Sequence, residues 1–163
     1  MRERLYLTVV FLLALVADQA TKIAVDMSFG LHDTKPLIGD FLRFHYIRNP
    51  GAAFGLRFGG TSIMLAITVL VTVVLIYLFF SGKFNPGNMI GRFAVVLVIA
   101  GAIGNLIDRI RLKEVIDFID MGFGSHRWPT YNLADIYVTL GMIALIVIQF
   151  YVGVEEKSEI QEN

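Results

Sequence analysis

Five aspartates stand at the edges of apolar sequence in this chain: Asp18, Asp108, Asp117, Asp120 and Asp135. Charge at the edge of a hydrocarbon layer is costly, so each needs a partner or a function. Asp18 has Lys22 four residues on, close enough on a helix to pair. Asp108 has Arg109 beside it. Asp117 has neither, with Val115, Ile116, Phe118 and Ile119 around it. Asp135 follows Asn132, a good N-cap, and so falls in the first turn of a helix whose dipole favours a carboxylate. If the Asp117 segment is extended, Asp117 and Asp120 point to opposite faces, which leaves Asp120 outside the site and exposed. Two carboxylates close together in a desolvated place share a proton. One then acts as base on a water while its protonated partner polarises a carbonyl. On this reading Asp117 carries the proton and Asp135 is the base, the two titrating as a pair.

Other chemistries have less to stand on. The chain has no cysteine, which excludes disulfides, thiol catalysis and thiolate metal sites. His32, His45 and His126 lie in separate loops without metal-ligand spacing, and no G-x-S-x-G elbow occurs. No metal and no cofactor are expected. The net charge is zero, so nothing points to nucleic acid.

The elements that must position these residues are helices in a membrane. At 163 residues a single domain (1–163) is expected, and 56% hydrophobic against 17% charged residues is too apolar for an ordinary soluble one. Four stretches, at about 5–25, 61–80, 89–109 and 134–154, approach the ~20 apolar residues that span a bilayer. The fold class is therefore a membrane all-α bundle of four transmembrane helices. The basic MRER start imitates a signal peptide, but the apolar pattern reaches spanning length, so the first helix is expected to be uncleaved.

Between helices one and two, Leu42, Phe44 and Tyr46 alternate with Arg43 and His45, the period of a half-buried strand. The Asn49-Pro50-Gly51 turn follows, and Gly55 marks another. A small sheet over about 35–60, lying on the membrane surface, is the reading. A second turn is expected at Gly82 to Asn88, around Asn85-Pro86-Gly87. Helix three is rich in small residues, which lets a neighbour pack closely. The tail EEKSEIQEN after helix four is expected to fray.

Counting four crossings puts Asp18, Asn49, Asn105, Asp108, Arg109, Asp117, Asn132 and Asp135 on one membrane face. Asn105, Asp108 and Arg109, at i, i+3 and i+4, share one side of helix three. A proton-coupled transporter would want its carboxylates near the midplane in matching halves. A G-x-G-D intramembrane protease would want that run inside a helix. Neither pattern is present.

Five separated blocks resemble the lipoprotein signal peptidases, or signal peptidase II: D-Q-A-T-K at 18–22, R-N-P-G-A-A-F at 48–54, G-N-L-I-D-R at 104–109, V-I-D-F-I at 115–119 and Y-N-L-A-D at 131–135. The resemblance implies an aspartic endopeptidase of the bacterial cytoplasmic membrane. Such an enzyme removes signal peptides from diacylglyceryl-modified prolipoproteins, cutting just before the lipidated cysteine. It implies Asp117 and Asp135 as the catalytic pair. Asp18, Lys22, Asn49, Gly51, Asn105, Asp108, Arg109, Asn132 and Ala134 match positions that shape the site or hold substrate. It further implies an extracytoplasmic β-cradle and a short helix after the Asn49 block. Membrane lipids are the remaining partner, and a monomer is expected. Ile136 departs from the small hydroxyl residue that many members carry after the second aspartate, and Pro50 fills a variable position.

Two charge signals disagree on orientation. With the N-terminus inside, the inner segments hold five basic residues and the outer ones nine, against the positive-inside rule. Arg2, Arg4 and the terminal amine outweigh Lys22 across the first helix, however, and that helix usually dominates. Both termini are predicted to be cytoplasmic. A reporter fused after Asn163 should be active as a cytoplasmic fusion; activity only outside the cytoplasm would reverse the topology.

Overall fold

The computed structural model describes residues 1–53, 56–57, 60–81 and 88–162. The expected turn at Asn85-Pro86-Gly87, Phe54 of the second block and the turn expected at Gly55 lie outside the described residues. The chain runs α1 (Arg2–Ser28), β1 (Thr34–Ile38), β2 (Leu42–Asn49), β3 (Ala52–Ala53), β4 (Leu56–Arg57), α2 (Gly60–Phe80), α3 (Met89–Leu112), β5 (Val115–Phe123), β6 (His126–Arg127) and α4 (Leu133–Glu162).

Among the described residues, α1, α3 and the Leu133–Tyr151 part of α4 are long and apolar enough to cross a membrane. In α2 the apolar helix described is shorter, Leu65–Tyr77. The helices outrun their apolar cores at both ends of α1 and at the end of α3. The tail expected to fray continues α4 to Glu162, in keeping with the helix propensity of its Glu, Lys and Gln residues.

Helix α3 is the hub, packing against α1, α2 and α4. Its small residues do what the sequence suggested. A Cβ added at Gly101 would lie 2.3 Å from the Ala134 carbonyl oxygen, and one at Gly104 would lie 2.4 Å from an Asp18 carboxylate oxygen. Ala94, Val95, Val98 and Ile99 form the lower core with Leu145 of α4. From α1 the buried residues are Ala14, Asp18, Lys22 and Val25, a stripe at helical spacing with a polar middle between apolar ends.

The sheet is larger than the sequence indicated. Its order is β1-β2-β5-β6, all antiparallel, so the segment after α3 supplies the third strand and hairpin partner. Lys113 ends α3 in the left-handed conformation (φ 64°), which turns the chain directly into β5. Val25, Tyr46, Ile116 and Phe118 then form a second core that fixes the sheet to the end of α1. This places Asp117 within a few residues of the α3 terminus.

Because the Gly101 clash is with backbone, no rotamer change relieves it. Gly101→Ala should lower stability by about 1–3 kcal/mol, the usual range for overpacking. Thermal melting in detergent measures this, and an unchanged midpoint would mean the α3–α4 contact is looser than described.

Candidate active site

Asp117 lies on β5 and is buried, and Asp135 occupies the first turn of α4, half-buried. The two meet on Asn132. Its side-chain amide donates to Asp117 Oδ1 at 2.6 Å. Its backbone N–H donates to Asp135 Oδ2 at 3.2 Å, while Asp135 N–H donates back to Asn132 Oδ1 at 3.1 Å. This reciprocal pair is a capping box, and it is what starts α4 here.

Two more asparagines complete the carboxylates' shells. Asn49 Nδ2 donates to Asp117 Oδ2 at 2.9 Å, and Asn105 Nδ2 donates to Asp135 Oδ1 at 2.8 Å. In each of these asparagines the amide oxygen is held by a group that can only donate. Gly51 N–H holds Asn49 at 2.9 Å, Lys22 Nζ holds Asn105 at 2.9 Å, and Asp135 N–H holds Asn132. An ammonium or a backbone N–H has no acceptor to offer, so no amide can flip without facing donor to donor. The three NH₂ groups are thereby locked toward the carboxylates. Gly51 takes part through its backbone at φ 110°, a conformation that favours glycine.

Behind this layer lies a fully enclosed ion cluster. Lys22 Nζ is 3.0 Å from both Asp18 Oδ2 and Asp108 Oδ2, and none of the three side chains has exposed surface. Asp18 Oδ1 accepts from Ala134 N–H at 3.0 Å, which ties the start of α4 to α1. Asp108 accepts weakly from Ile116 N–H at 3.3 Å, which ties β5 to α3. Gln19 donates to Asp18 and to the Gly104 carbonyl.

Several expectations change. Asp108 finds its cation in Lys22 rather than in adjacent Arg109, because the packing of α1 on α3 sets the Lys22 ammonium between Asp18 and Asp108. Enclosed as it is, Lys22 serves the pair from behind: it holds Asn105, and its charge also reaches Asp117. Asp120 is not exposed but 3% accessible, bonded to Arg43 across the β2–β5 pairing and to Arg127. Burial alone would raise its pKa, but the hydrogen bonds from Arg127 and Arg43 outweigh it and hold the carboxyl below its ordinary range. Asp120 is thus a sheet clamp set apart from the pair. Arg109, half-buried, lies within electrostatic reach of Asp135, Asp117 and Asp108.

Asp26, Tyr46 and Arg48 form a further unit that spacing along the chain does not single out. Tyr46 OH donates to Asp26, and Arg48 bonds both, at 2.8 Å to Tyr46 OH and 2.7 Å to Asp26. This holds β2, and so the neighbouring Asn49, against α1. Tyr46 and Arg48 share one face of an alternating strand, and that alternation was the available signal. Gln19, inside the first block, is likewise not singled out.

Asp117 is pushed up to about 7, first by burial and then by the charge of Asp135, against the opposing hydrogen bonds from Asn49 and Asn132. A cavity of about 830 Å³, lined by Phe41, Phe123, Trp128, Tyr131, Ile136 and Leu140 among others, reaches Asp135. Another of about 640 Å³ borders Asn49, Arg48 and Thr130.

Helices of membrane-spanning length, with an enclosed polar site at one end and an apolar cavity leading to it, define a membrane enzyme. Residues 10–151 match the family model described as "Signal peptidase (SPase) II". A protein of Syntrophus aciditrophicus (strain SB), named "Lipoprotein signal peptidase", is 40% identical over 83% of this chain and 86% of its own length. One from Syntrophotalea carbinolica bearing the same name is 36% identical over 90% and 91%. A solved structure described as "Bacterial membrane enzyme structure by the in meso method at 2.3 A resolution" is 32% identical. It superposes with a TM-score of 0.80 over 93% of this chain and 91% of that one. The chain belongs to the signal peptidase II family, and it is a peptidase.

The raised Asp117 carries a stability signature. Folded, it binds its proton more tightly than the unfolded chain, whose carboxyl has the ordinary value of 3.8. Its contribution is therefore present at low pH and lost as pH rises from about 4 to about 7. Melting temperatures of wild type and Asp117→Asn should diverge accordingly, the wild type losing ground as pH rises through that window. A constant difference between the two would mean that Asp117 titrates normally.

Proposed function

We propose that the chain is an aspartic endopeptidase that removes the signal peptide of bacterial prolipoproteins, cutting just before a diacylglyceryl-modified cysteine. Family membership supports the cleavage of prolipoprotein signal peptides. The aspartic mechanism rests on one observation: Asp117 and Asp135 are joined through Asn132, and the hydrogen bonds described above to their oxygens all come from amide N–H groups. Neither carboxylate is neutralised by a direct ion pair among the described residues, unlike Asp18, Asp108 and Asp120.

In this mechanism Asp135, which borders the cavity, accepts a proton from water as the water oxygen attacks the scissile carbonyl carbon. Protonated Asp117 donates a hydrogen bond to the carbonyl oxygen as it gains charge. The tetrahedral species then collapses, the C–N bond breaks, and the proton held by Asp135 passes to the leaving amine. Asn49, Asn105 and Asn132 hold both groups in position, while Lys22, Asp18, Asp108, Gly51 and Ala134 hold the holders. Arg109 balances the charge of the pair, and as a cation it suits a substrate backbone or ester. The cavity at Asp135 is mostly apolar in its lining and suits acyl chains. The one beside Asn49 suits the polar residues after the cleavage point. No step needs a metal or cofactor.

The same reading takes α2 as a fourth span, since it is a 21-residue helix without a charged residue. It puts the sheet and the acidic pair on the extracytoplasmic face of the cytoplasmic membrane, with both termini inside. Asparagine is nearly isosteric with aspartate yet serves as neither acid nor base. Asp117→Asn and Asp135→Asn should each abolish cleavage of a lipidated prolipoprotein, followed by mass loss, while still folding and binding substrate. Asp120→Asn should keep its turnover. Near-wild-type cleavage by either folded variant of the pair would remove the mechanism.

A further inference from the structure

Away from the acidic pair, three ring side chains gather at one tip of the sheet. Phe41 sits in the β1–β2 turn, Phe123 ends β5, and Trp128 follows β6. The backbone welds these positions together. Gly122 N–H donates to the Phe41 carbonyl at 2.9 Å, and Trp128 N–H donates to that of Met121 at 2.8 Å. Arg127 Nη1 adds a bond to the Asp40 carbonyl at 2.9 Å. The Phe41 and Phe123 rings lie 5.3 Å apart at 31°. Even so, Phe123 is 67% and Trp128 63% exposed, and the edge strand extends the apolar surface through Ile38, 61% exposed. An apolar patch of contiguous rings marks an interaction surface.

We propose that this tip is a membrane anchor, with Phe41, Phe123 and Trp128 inserted among the lipid headgroups beside the outer end of α4. Its position supplies the occupant. The cavity wall that carries these rings also carries Ile136, Thr139 and Leu140, from the first two turns of a helix of spanning length. Two turns are only about 11 Å along the axis, so the tip stands level with the rim of the hydrocarbon. Leu140 is itself 56% exposed, and continues as lipid-facing surface into Ile143 and Val147. Tryptophan favours that depth because its ring is apolar and its N–H is polar. The neighbouring charges are paired, Arg43 and Arg127 with Asp120 and Asp40, so insertion does not drag an uncompensated ion with it. The anchor keeps the mouth of the cavity at headgroup depth, whatever chemistry lies behind it.

Trp128 is the chain's single tryptophan, so its fluorescence reports on the tip alone. The full chain would be reconstituted into phosphatidylcholine vesicles brominated either near the headgroup or near the acyl-chain end. Shallow bromines should quench Trp128 more than deep ones, and aqueous iodide should quench it little. Strong iodide quenching without bromolipid quenching would put the tip in water and overturn the proposal. Protection from both quenchers would mean a second copy or other protein covers it, which overturns it equally. A Phe41→Ser/Phe123→Ser double variant, checked for folding by circular dichroism, should show weaker shallow quenching and red-shifted emission. Quenching equal to wild type would show that the rings do not anchor the tip.

Discussion

The fixed polarity of three amides is the constraint on which the site depends. An asparagine side chain can present either end to a neighbour, and a carboxylate needs the NH₂ end. Here each amide oxygen is taken by a donor-only group: Gly51 N–H for Asn49, Lys22 Nζ for Asn105 and Asp135 N–H for Asn132. Turning any one of them would set donor against donor and acceptor against acceptor in an enclosed space, where an unmade hydrogen bond is expensive. The two carboxylates are therefore surrounded by oriented amides rather than by cations. Amides leave the pair free to hold a proton, where a direct ion pair would fix both groups as anions.

That arrangement in turn requires the buried ion cluster behind it. Lys22 can spare a hydrogen bond for Asn105 only because Asp18 and Asp108 already compensate its charge. Removing Lys22 would leave two buried carboxylates uncompensated, which is strongly destabilising. The two carboxylates of the cluster also reach outward, Asp18 to Ala134 N–H and Asp108 to Ile116 N–H. The same ions thus anchor α4 and β5, the two elements that carry the acidic pair. Close approach of the helices is what makes this possible. Gly104 leaves room for the Asp18 carboxylate, and Gly101 lets the Ala134 carbonyl lie against α3.

Much of this was legible in the residues. The i, i+4 pairing of Asp18 with Lys22 and the capping role of Asn132 follow from local spacing, and the structure has both. The lack of a nearby cation for Asp117 was equally plain. Partners brought by strand register were beyond local reading. Arg43 stands opposite Asp120 only because β2 pairs with β5, across a bulge between Phe44 and Ile47 that no periodicity announces. Asp120 accordingly looked exposed. The length of the sheet was missed for the same reason, since its third strand comes from beyond α3. Asp108 was matched to the nearest cation in sequence, whereas the packing of α1 on α3 hands it the one on α1.

The central claim is that Asp117 carries a proton near neutral pH because it is buried beside a second carboxylate. Infrared difference spectroscopy on the reconstituted protein, titrated through about 7, reads that proton directly as the carbonyl stretch of a carboxylic acid. The account predicts such a band below that pH, its loss on raising the pH, and its absence from Asp117→Asn. A band that persists undiminished in Asp117→Asn, or no band at all in the wild type, would contradict it.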